Sequence, residues 1–322
     1  MADDCREPDS LHVTVLMGGP SSEREVSLVS GGAVAAALES VGHRVRRADI
    51  QPNDASALDA PGIDVVFIAL HGEFGEDGKV QALCEARGLA YTGSNPRASE
   101  LAMDKAAAKQ IVRRHGVDTP DWIVIEEYRS PGQAARQVAE LSLPVVVKPV
   151  TGGSSVDVTI ARDAGVRDAA IEAALDKYGR VMVEQFIAGG ELTVGILGDQ
   201  ALPVIQIVPK RAFYDFTAKY ADDAGTEYLF DFGVAPGALR AIQASALAVN
   251  EALGCRDMGR VDFILDAAGR AWMLEVNTIP GFTGHSLLPM AARRSGVEFP
   301  QLVDRLVRMA YSRRVQALPS AR

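Results

Sequence analysis

Two apolar runs near the start of the chain, residues 11–17 and 64–70, each lead into a glycine-containing segment and then a helical pattern. The first run ends at residues 18–20 (Gly-Gly-Pro), and the second ends at 71–72 (His-Gly). Continuous apolar strands that alternate with helices are typical of a parallel sheet covered on both faces. We therefore predict a parallel α/β domain over residues 1–96, the domain expected to bind substrate.

The pattern changes in the middle of the chain, where strands follow one another across short turns. Residues 143–160 predict a hairpin around a Gly/Ser turn, and residues 259–276 predict a second hairpin. Strand pairs joined by helices are typical of antiparallel α+β domains. We predict a central domain over 97–187 and a C-terminal domain over 188–322, so the fold class combines α/β with α+β.

Charge and cysteine content narrow the class of protein. Lys and Arg total 33 against 42 Asp and Glu, a net charge of −9, which argues against nucleic-acid binding because phosphate backbones require a basic surface. The start of the chain lacks a signal-peptide pattern, and no apolar stretch is long enough to cross a membrane. Cys5, Cys84 and Cys255 have no disulfide or zinc spacing. We expect a cytoplasmic protein.

The hairpin at 259–276 carries the strongest chemical signal. Asp262, Glu275 and Asn277 bring two carboxylates and an amide to paired strands. With direct pairing across the four-residue turn, Arg260 lies opposite Glu275, and Asp262 lies diagonal to it at roughly 7 to 8 Å. Oxygen ligands of this kind hold Mg²⁺ against substrate phosphates. The alternative is a solvated hairpin face with an Arg–Glu pair.

A second signal is the loop that follows Lys148. Its glycines and serines at 151–155 leave backbone N–H groups accessible, and Lys148 adds a positive charge, so the loop suits a phosphate. It is not a Walker A motif, since the G-x-x-x-x-G-K-[ST] pattern does not occur. The alternative is a simple hairpin turn.

Other candidate positions are isolated. The spacing of Ser22 and Glu25 predicts a capping box at the start of a helix, where Glu23 can also bind an ammonium group. His71 follows a strand at the edge where open α/β sheets bind ligands. Glu184 and Glu191 flank a turn and can accept hydrogen bonds from an adenine amine and a ribose. For both of these residues, the alternative is a solvated charge.

From about Val13 to Met309, the chain resembles the D-alanine–D-alanine ligases of the ATP-grasp superfamily. The matching segments are residues 18–27, 69–72, 75–78, 91–94, 103–105, 148–149, 153–156, 218–220, 259–262 and 275–283. Two motifs, HGEFGEDG at 71–78 and EVNTIPGFT at 275–283, are specific to this family rather than to ATP-grasp enzymes in general.

The resemblance implies an ATP-grasp fold whose central and C-terminal domains sandwich ATP, and it implies a homodimer of two copies of the chain. It also implies a reaction. ATP phosphorylates the carboxylate of one D-alanine, and the amine of a second attacks the acyl phosphate, giving D-alanyl-D-alanine, ADP and phosphate. The dipeptide is a precursor of peptidoglycan, so the activity serves cell-wall biogenesis and cell shape.

Residue roles carry over from the resemblance by position. Two Mg²⁺ or Mn²⁺ ions would be held by Asp262, Glu275 and Asn277. ATP would be bound by Lys105, Lys148, Ser155, Glu184, Gln185, Phe186, Ile187, Glu191 and Lys219. Glu23 would bind the ammonium group of the first D-alanine, and His71 would contact its carboxylate side. The tetrahedral oxyanion would be stabilised by Arg260 and by the N–H of Gly281. The carboxylate of the second D-alanine would meet Ser286 and Leu287. A hydrogen-bonded set closing the site would join Glu23, Ser154 and Tyr220.

Two departures from the family pattern stand out. Asp157 occupies a place where a small residue, usually glycine, is expected, and its carboxylate should weaken anion binding unless it points away. The segment 221–236 lacks the usual Pro-Ala step before the following helix. It overlaps the segment 212–230, whose mixed polar and aromatic residues resemble a mobile loop that excludes water from the acyl phosphate.

Three other functions compete with the ligase. A depsipeptide ligase would accept D-lactate as second substrate, but Tyr220 stands where such enzymes typically have Phe. A nucleotide-binding regulatory protein would have lost a metal ligand, and all three are present. A small-molecule kinase would not need the two family-specific motifs.

Overall fold

The structure is a computed structural model that describes residues 8–126, 136–153, 156–210, 225–284 and 286–317. Its first sheet is parallel, in the order β2-β1-β3-β4. The strands are β1 (His12–Met17), β2 (Arg44–Asp49), β3 (Val65–Ile68) and β4 (Ala90–Tyr91). The helices of this region are α1 (Arg24–Ser40), α2 (Lys79–Glu85) and a 3₁₀ turn (Ser56–Asp59). The predicted parallel N-terminal sheet is confirmed.

The capping box predicted for α1 is wrong. The helix begins at Arg24, and no side chain caps it. The hydroxyl of Ser21 instead donates to the carbonyl of His71 at 2.6 Å and accepts the N–H of Glu23 at 3.2 Å. The turn before α1 is therefore tied to the end of the neighbouring strand rather than to its own helix.

Two helices follow the first sheet, α3 (Pro96–Met103) and α4 (Lys105–Arg114). Asp104 separates them, and its carboxylate accepts the N–H of Ala107 as an N-cap. An antiparallel sheet follows in the order β5-β8-β6-β7. Its elements are β5 (Trp122–Ile125), β6 (Val145–Pro149), β7 (Thr159–Ala161), α5 (Ala164–Tyr178) and β8 (Val181–Gln185).

The third sheet is antiparallel, in the order β12-β11-β9-β13-β14, with β10 paired to β9. Its strands are β9 (Gly189–Leu197), β10 (Gln200–Ala201), β11 (Ile205–Val208), β12 (Glu227–Leu229), β13 (Met258–Asp266) and β14 (Ala271–Asn277). Helices α6 (Pro236–Ala252), α7 (Leu287–Arg294) and α8 (Phe299–Ala317) complete the described chain.

The predicted register of the β13–β14 hairpin is wrong. Leu265 pairs with Ala271, so the turn has five residues instead of four, and a bulge at Leu274 adds one more residue to the return strand. Asp262 therefore pairs with Glu275, and Arg260 pairs with Asn277 rather than with Glu275. The bulge also separates side chains that a regular strand would keep on one face. Met273 is fully buried in the core, whereas Leu274 and Glu275 both line a cavity.

Packing joins distant parts of the chain. Helices α3 and α4 share a core with the third sheet, while α7 and α8 return to the N-terminal sheet, where Phe282 meets the ring of Phe67 edge-on at 5.3 Å. The central sheet packs on α5. The three sheets lie within 12–91, 122–185 and 189–277, and the domain boundaries after residues 96 and 187 stay predictions. Among the described residues, no helix is long and apolar enough to cross a membrane.

Candidate active site

A cavity of about 1080 Å³ lies where the three sheets meet. Its walls come from the turn before α1, from β6 and β8 of the central sheet, and from β11, β13 and β14 of the third sheet. Residues predicted from sequence that line it are Glu23, Lys105, Lys148, Glu184, Gln185, Phe186, Ile187, Glu191, Asp262 and Glu275. The fold thus brings together side chains that are up to 250 positions apart in the sequence.

One wall carries an acidic cluster, which we define as Asp262, Glu275 and Asn277. The bulge places Asp262 directly opposite Glu275 rather than diagonal to it, so the carboxylates are closer than predicted. Asp262 accepts two bonds from the Arg260 guanidinium, at 2.9 and 2.8 Å. It also accepts the hydroxyl of Thr193 at 2.6 Å and the amide N–H of Asn277 at 3.2 Å. Asp262 is therefore held rigidly at the cavity wall.

The acidic cluster fits a magnesium or manganese site. Among the described residues, no group of three or more carboxylate, imidazole or thiol side chains could hold a metal by itself. Mg²⁺ typically uses one or two protein carboxylates and completes its shell with water and substrate phosphates. Asp262 and Glu275, with the amide oxygen of Asn277, supply such a partial set. Lys105 lies 3.4 Å from Glu275, so cations already neutralise this wall.

Lys148 and Glu184 also line the cavity, and with Lys109 behind them they form what we define as the lysine cluster. The Glu184 side chain is 2% exposed and forms ion pairs with both lysines, at 2.6 Å to Lys148. Burial raises the pKa of Glu184, but the two lysines outweigh it and hold the pKa below its usual value. Glu184 is thus an ionised carboxylate rather than the solvated charge of the alternative interpretation.

The segment that links β8 to β9 has a fixed backbone. The N–H of Gln185 donates to the carbonyl of Asp121 at 2.8 Å, and the N–H of Phe186 donates to that of Pro144 at 3.4 Å. Glu191 follows on β9, between the neighbouring strands β11 and β13. These bonds hold the predicted adenine-binding segment at the cavity wall.

His71 is buried, and both of its ring nitrogens are used. Its Nδ1 donates to the carbonyl of Ile279 at 3.2 Å, and its Nε2 lies 3.1 Å from the hydroxyl of Ser30. Since a carbonyl only accepts, Nδ1 carries the proton and Nε2 accepts from Ser30. Burial lowers the pKa of His71, so the ring is neutral. His71 orients the loop after β14, and its direct contact with a substrate stays a prediction.

The HGEFGEDG motif contributes another carboxyl group, that of Glu76, which lies near the Glu23 carboxylate. Glu76 accepts the N–H of Gly72 at 2.8 Å and the N–H of Ile279 at 3.4 Å. Burial, helped by the nearby Glu23 carboxylate, raises the pKa of Glu76 to about 8. Gly72 has a φ of +69°, and a Cβ there would lie 2.7 Å from Glu23, so only glycine fits beside this carboxylate.

The EVNTIPGFT motif continues into the predicted second-substrate positions. The hydroxyl of Ser286 accepts the N–H of Thr283 at 2.9 Å, and Leu287 is buried at the start of α7. A Cβ on Gly281 would lie 2.8 Å from the Ser286 hydroxyl. Gly281 therefore lies close to the Ser286 hydroxyl, and a side chain at this position would crowd it.

Some predicted residues lie outside the described part of the chain, namely Ser154, Ser155, Lys219 and Tyr220.

Asp157 is described and turns away from the cavity. Its carboxylate pairs with Lys177 at 2.6 Å and with the hydroxyl of Tyr178, and these bonds hold its pKa below the usual value. The expected weakening of anion binding does not apply to a carboxylate that is already paired.

Sequence reasoning missed Lys109 and Thr193, and it assigned no role to Glu76. Lys109 lies four residues after Lys105 on one helix, so their side chains share a face, and this spacing could have found it. Thr193 is a single hydroxyl on a strand. No signal in the sequence distinguishes it from other threonines.

Comparison with known families identifies the architecture. A family model described as "D-ala D-ala ligase C-terminus" matches residues 111–308, and one described as "D-ala D-ala ligase N-terminus" matches residues 50–94. Together they include both family-specific motifs and both charged clusters, except for Lys109.

Relatives agree along nearly the whole chain. A D-alanine–D-alanine ligase of Gloeobacter violaceus is 45% identical, over 92% of this chain and 98% of its own length. One from Marinobacter nauticus is 47% identical, over 92% and 90%. Among solved structures, a D-alanine–D-alanine ligase of Bacillus anthracis complexed with ATP superposes with a TM-score of 0.82 at 32% identity, covering 95% of this chain and 99% of that one.

A second similar structure is that of a ligase named for a different second substrate. The VanG D-Ala:D-Ser ligase of Enterococcus faecalis superposes with a TM-score of 0.82 at 29% identity, covering 94% of this chain and 99% of its own. Its sequence is more distant than those of the two relatives. The expected ATP-grasp fold is confirmed, and the chain belongs to the D-alanine–D-alanine ligase family.

Proposed function

We propose that this chain joins two D-alanine molecules into D-alanyl-D-alanine while ATP is converted to ADP and phosphate. The enzyme is an ATP-dependent ligase, and its product feeds peptidoglycan synthesis. The observation that carries the proposal is one cavity that combines two carboxylates of the acidic cluster, the cations of Lys105 and Lys148, and the carboxylate of Glu23. Such a cavity suits a reaction in which a triphosphate must approach a carboxylate, since cations reduce the repulsion between them.

ATP would lie between the central and third sheets. The backbone of 185–187 and the carboxylate of Glu184 face the cavity where an adenine with its amino group fits, and Glu191 suits a ribose hydroxyl. Lys105 lies 3.4 Å from Glu275, at the proposed phosphate end, and Lys148 lines the same cavity, from which it could reach the phosphates. Ser155 and Lys219 are proposed phosphate contacts on the basis of the family resemblance.

Two Mg²⁺ or Mn²⁺ ions would be held by Asp262, Glu275 and Asn277, and would supply positive charge to the phosphates as they approach the substrate carboxylate. The chain itself keeps these ligands in place. Thr193 and Arg260 hold Asp262 by three hydrogen bonds, which leaves the carboxylate little freedom to rotate. Such support around a ligand strengthens its preference for one geometry.

The first D-alanine would enter with its ammonium group on Glu23, which is 8% exposed at the cavity wall. A carboxylate oxygen of this D-alanine forms a bond to the terminal phosphorus of ATP, while the bond from that phosphorus to ADP breaks. The product is an acyl phosphate. Water must be kept from it, and the segment 212–230 is the proposed cover on the basis of the family resemblance. Residues 212–224 of this segment lie outside the described part of the chain, and Glu227–Leu229 belongs to β12.

The amine of the second D-alanine then attacks the acyl carbon, phosphate leaves, and the amine loses its proton. Negative charge develops on the carbonyl oxygen, where Arg260 and the N–H of Gly281 are the proposed donors. A donor of this kind contributes roughly 2.7 to 4 kcal/mol in acyl transfer. Ser286 and Leu287 would receive the carboxylate of the second D-alanine, and Ser154 and Tyr220 would join Glu23 in closing the site.

Location and assembly are part of the proposal. The reaction consumes ATP, so we place the enzyme in the cytoplasm, where ATP is available. We also propose a homodimer, as the family resemblance implies. Size-exclusion chromatography with light scattering tests the dimer, and a single peak at 34.2 kDa would contradict it.

The test of the activity is phosphate release from ATP and Mg²⁺ by the purified protein, with products identified by mass spectrometry. D-alanine, L-alanine, D-lactate and D-serine are supplied in turn, the last two together with D-alanine. We expect release that depends on D-alanine and yields the dipeptide. Nucleotide binding without turnover would instead support the regulatory alternative.

The mixed reactions test the second substrate. The D-Ala:D-Ser ligase structure shares this fold, so the fold alone leaves D-serine open. We expect D-alanyl-D-alanine to predominate, because the relatives of 45% and 47% identity are named for it. A mixed dipeptide or a depsipeptide as the main product would reassign the second site.

A further inference from the structure

Lys109 is a fully buried lysine behind the wall of the cavity. Its side chain is 0% exposed and does not reach the cavity, although its partner Glu184 does. The ammonium group pairs with Glu184, donates to the hydroxyl of Thr119 at 2.5 Å and lies 5.7 Å from the ring centre of Trp122. A buried lysine is costly to maintain unless it is paired.

The lysine cluster contains two cations for a single carboxylate. Lys148 alone neutralises Glu184, at 2.6 Å, yet Lys109 also pairs with the same carboxylate. Lys148 lines the cavity and can turn towards an anion there, whereas Lys109 cannot. If Lys148 leaves Glu184, the buried carboxylate still has a counter-ion. The excess positive charge therefore suits a site that an anion will enter.

We propose that Lys109 is a positioning residue for nucleotide binding: it remains on Glu184 when Lys148 turns to the nucleotide phosphates, and so keeps Glu184 aimed at the adenine amino group. This inference rests on the proposed function, because it takes ATP as the occupant of the cavity. Lys109 acts through Glu184 and touches neither the nucleotide nor the reacting atoms.

The contacts of Glu184 explain why one lysine cannot both neutralise this carboxylate and bind the nucleotide phosphates. With Lys148 as its only partner, Glu184 would hold that lysine in a neutral buried pair, and breaking this pair would leave an isolated buried carboxylate. Nucleotide binding would then have to overcome that cost. Lys109 removes the conflict, since Glu184 stays paired in both arrangements.

The experiment compares the full-length protein with Lys109→Met and Lys109→Arg. ADP binding is measured by calorimetry with Mg²⁺ present, and KM values are measured for ATP and D-alanine. We expect Lys109→Met to weaken ADP binding and raise KM for ATP by at least about tenfold, with KM for D-alanine changed less than about twofold. We also expect the preference for ADP over GDP to fall, and Lys109→Arg to recover most of the binding.

Arg113→Met is the matched control. Arg113 lies one turn further along α4 and stacks on Trp122 at 4.4 Å, but it pairs with Asp121 rather than Glu184. Its loss should leave ADP binding within about twofold of wild type. Each variant is first checked by its melting temperature without nucleotide, and Lys109→Gln replaces Lys109→Met if the latter does not fold.

A Lys109→Met protein that melts earlier but binds ADP with unchanged affinity and selectivity would overturn the inference, because the lysine would then serve only stability. Failure of the proposed function looks different. In that case the wild-type protein binds ADP but releases no phosphate with D-alanine, and the ADP titrations of the variants still test Lys109.

Discussion

The acidic cluster and the lysine cluster both lie at one cavity, yet they differ in how their charges are balanced. The Glu275 side chain is 23% exposed, and its neighbour Lys105 also lines the cavity. The Glu184 side chain is 2% exposed, and one of its two cations is sealed behind the wall. In the acidic cluster, opposite charges balance at an accessible surface. The lysine cluster instead has an excess of positive charge in the protein interior.

This difference separates two tasks. Accessible carboxylates can exchange one cation for another, which a site for metal ions requires. A buried carboxylate with a permanent partner cannot change its charge state easily, which suits the fixed recognition of an uncharged base. In the proposed function, a single type of residue, glutamate, would serve both tasks, and its burial would decide which one.

The largest expected effect is on the acidic cluster. Glu275→Gln keeps the size of the side chain but removes its charge, so ADP release should fall about 10³-fold, on the order of 4 kcal/mol in the barrier. The melting temperature without nucleotide should hardly change, because Glu275 is partly exposed. Turnover assays and thermal melts check both. The control is Glu251→Gln, an exposed glutamate on α6. Full activity in Glu275→Gln would end the metal assignment.

An intermediate effect is expected from pH on the lysine cluster. Burial lowers the pKa of Lys109 to about 8, against the pull of Glu184, and Lys148 and Arg113 lower it further. Nucleotide binding that needs charged Lys109 must weaken as pH rises through this value. KM for ATP should therefore rise about tenfold between pH 7 and pH 9, whereas an unshifted lysine stays charged to about pH 10.

The Lys109→Arg variant sharpens this pH test, because arginine keeps its charge over the whole range. Its KM for ATP should stay nearly constant between pH 7 and pH 9. An equal rise in the variant and the wild-type protein would assign the titration to another group and remove the distinction between the clusters.

The smallest effect is expected at the cavity rim, where Asp157 pairs with the exposed Lys177. Exposed pairs contribute little to stability because solvent screens them. Asn also tolerates the left-handed backbone at residue 157, where φ is +56°. Asp157→Asn should change KM for ATP by less than about twofold and the melting temperature by less than about 2 °C. A large gain in ATP affinity would show that the carboxylate does face the phosphates.

Much of the fold followed from local patterns. The apolar run at 64–70 becomes β3, and the hairpin at 259–276 becomes β13 and β14, because alternation and turn residues act over a few positions. Short strands such as β2 and β12 escaped this reasoning, since their residues are largely polar or exposed. Their place in a sheet comes from neighbours that are remote in the sequence.

The candidate site was likewise predictable only in part. The motifs predicted which residues meet, and the structure brings ten of them into one cavity. The register that joins Asp262 to Glu275 was beyond prediction, because a one-residue bulge depends on how Met273 packs in the core. The capping prediction at Ser22 failed for a related reason. The hydroxyl of Ser21 has a partner on another strand, and nothing near it in the sequence indicates that partner.

The sequence by itself determined the succession of the sheets along the chain, the family, and the kinds of side chain that line the cavity. These features depend on local periodicity and on short motifs. Only the tertiary structure decided which carboxylate is accessible and which is sealed, and that Lys109 stands behind Glu184. The physical reason is that the charge state of a group depends on its burial and its partners. Both are set by residues far away in the chain.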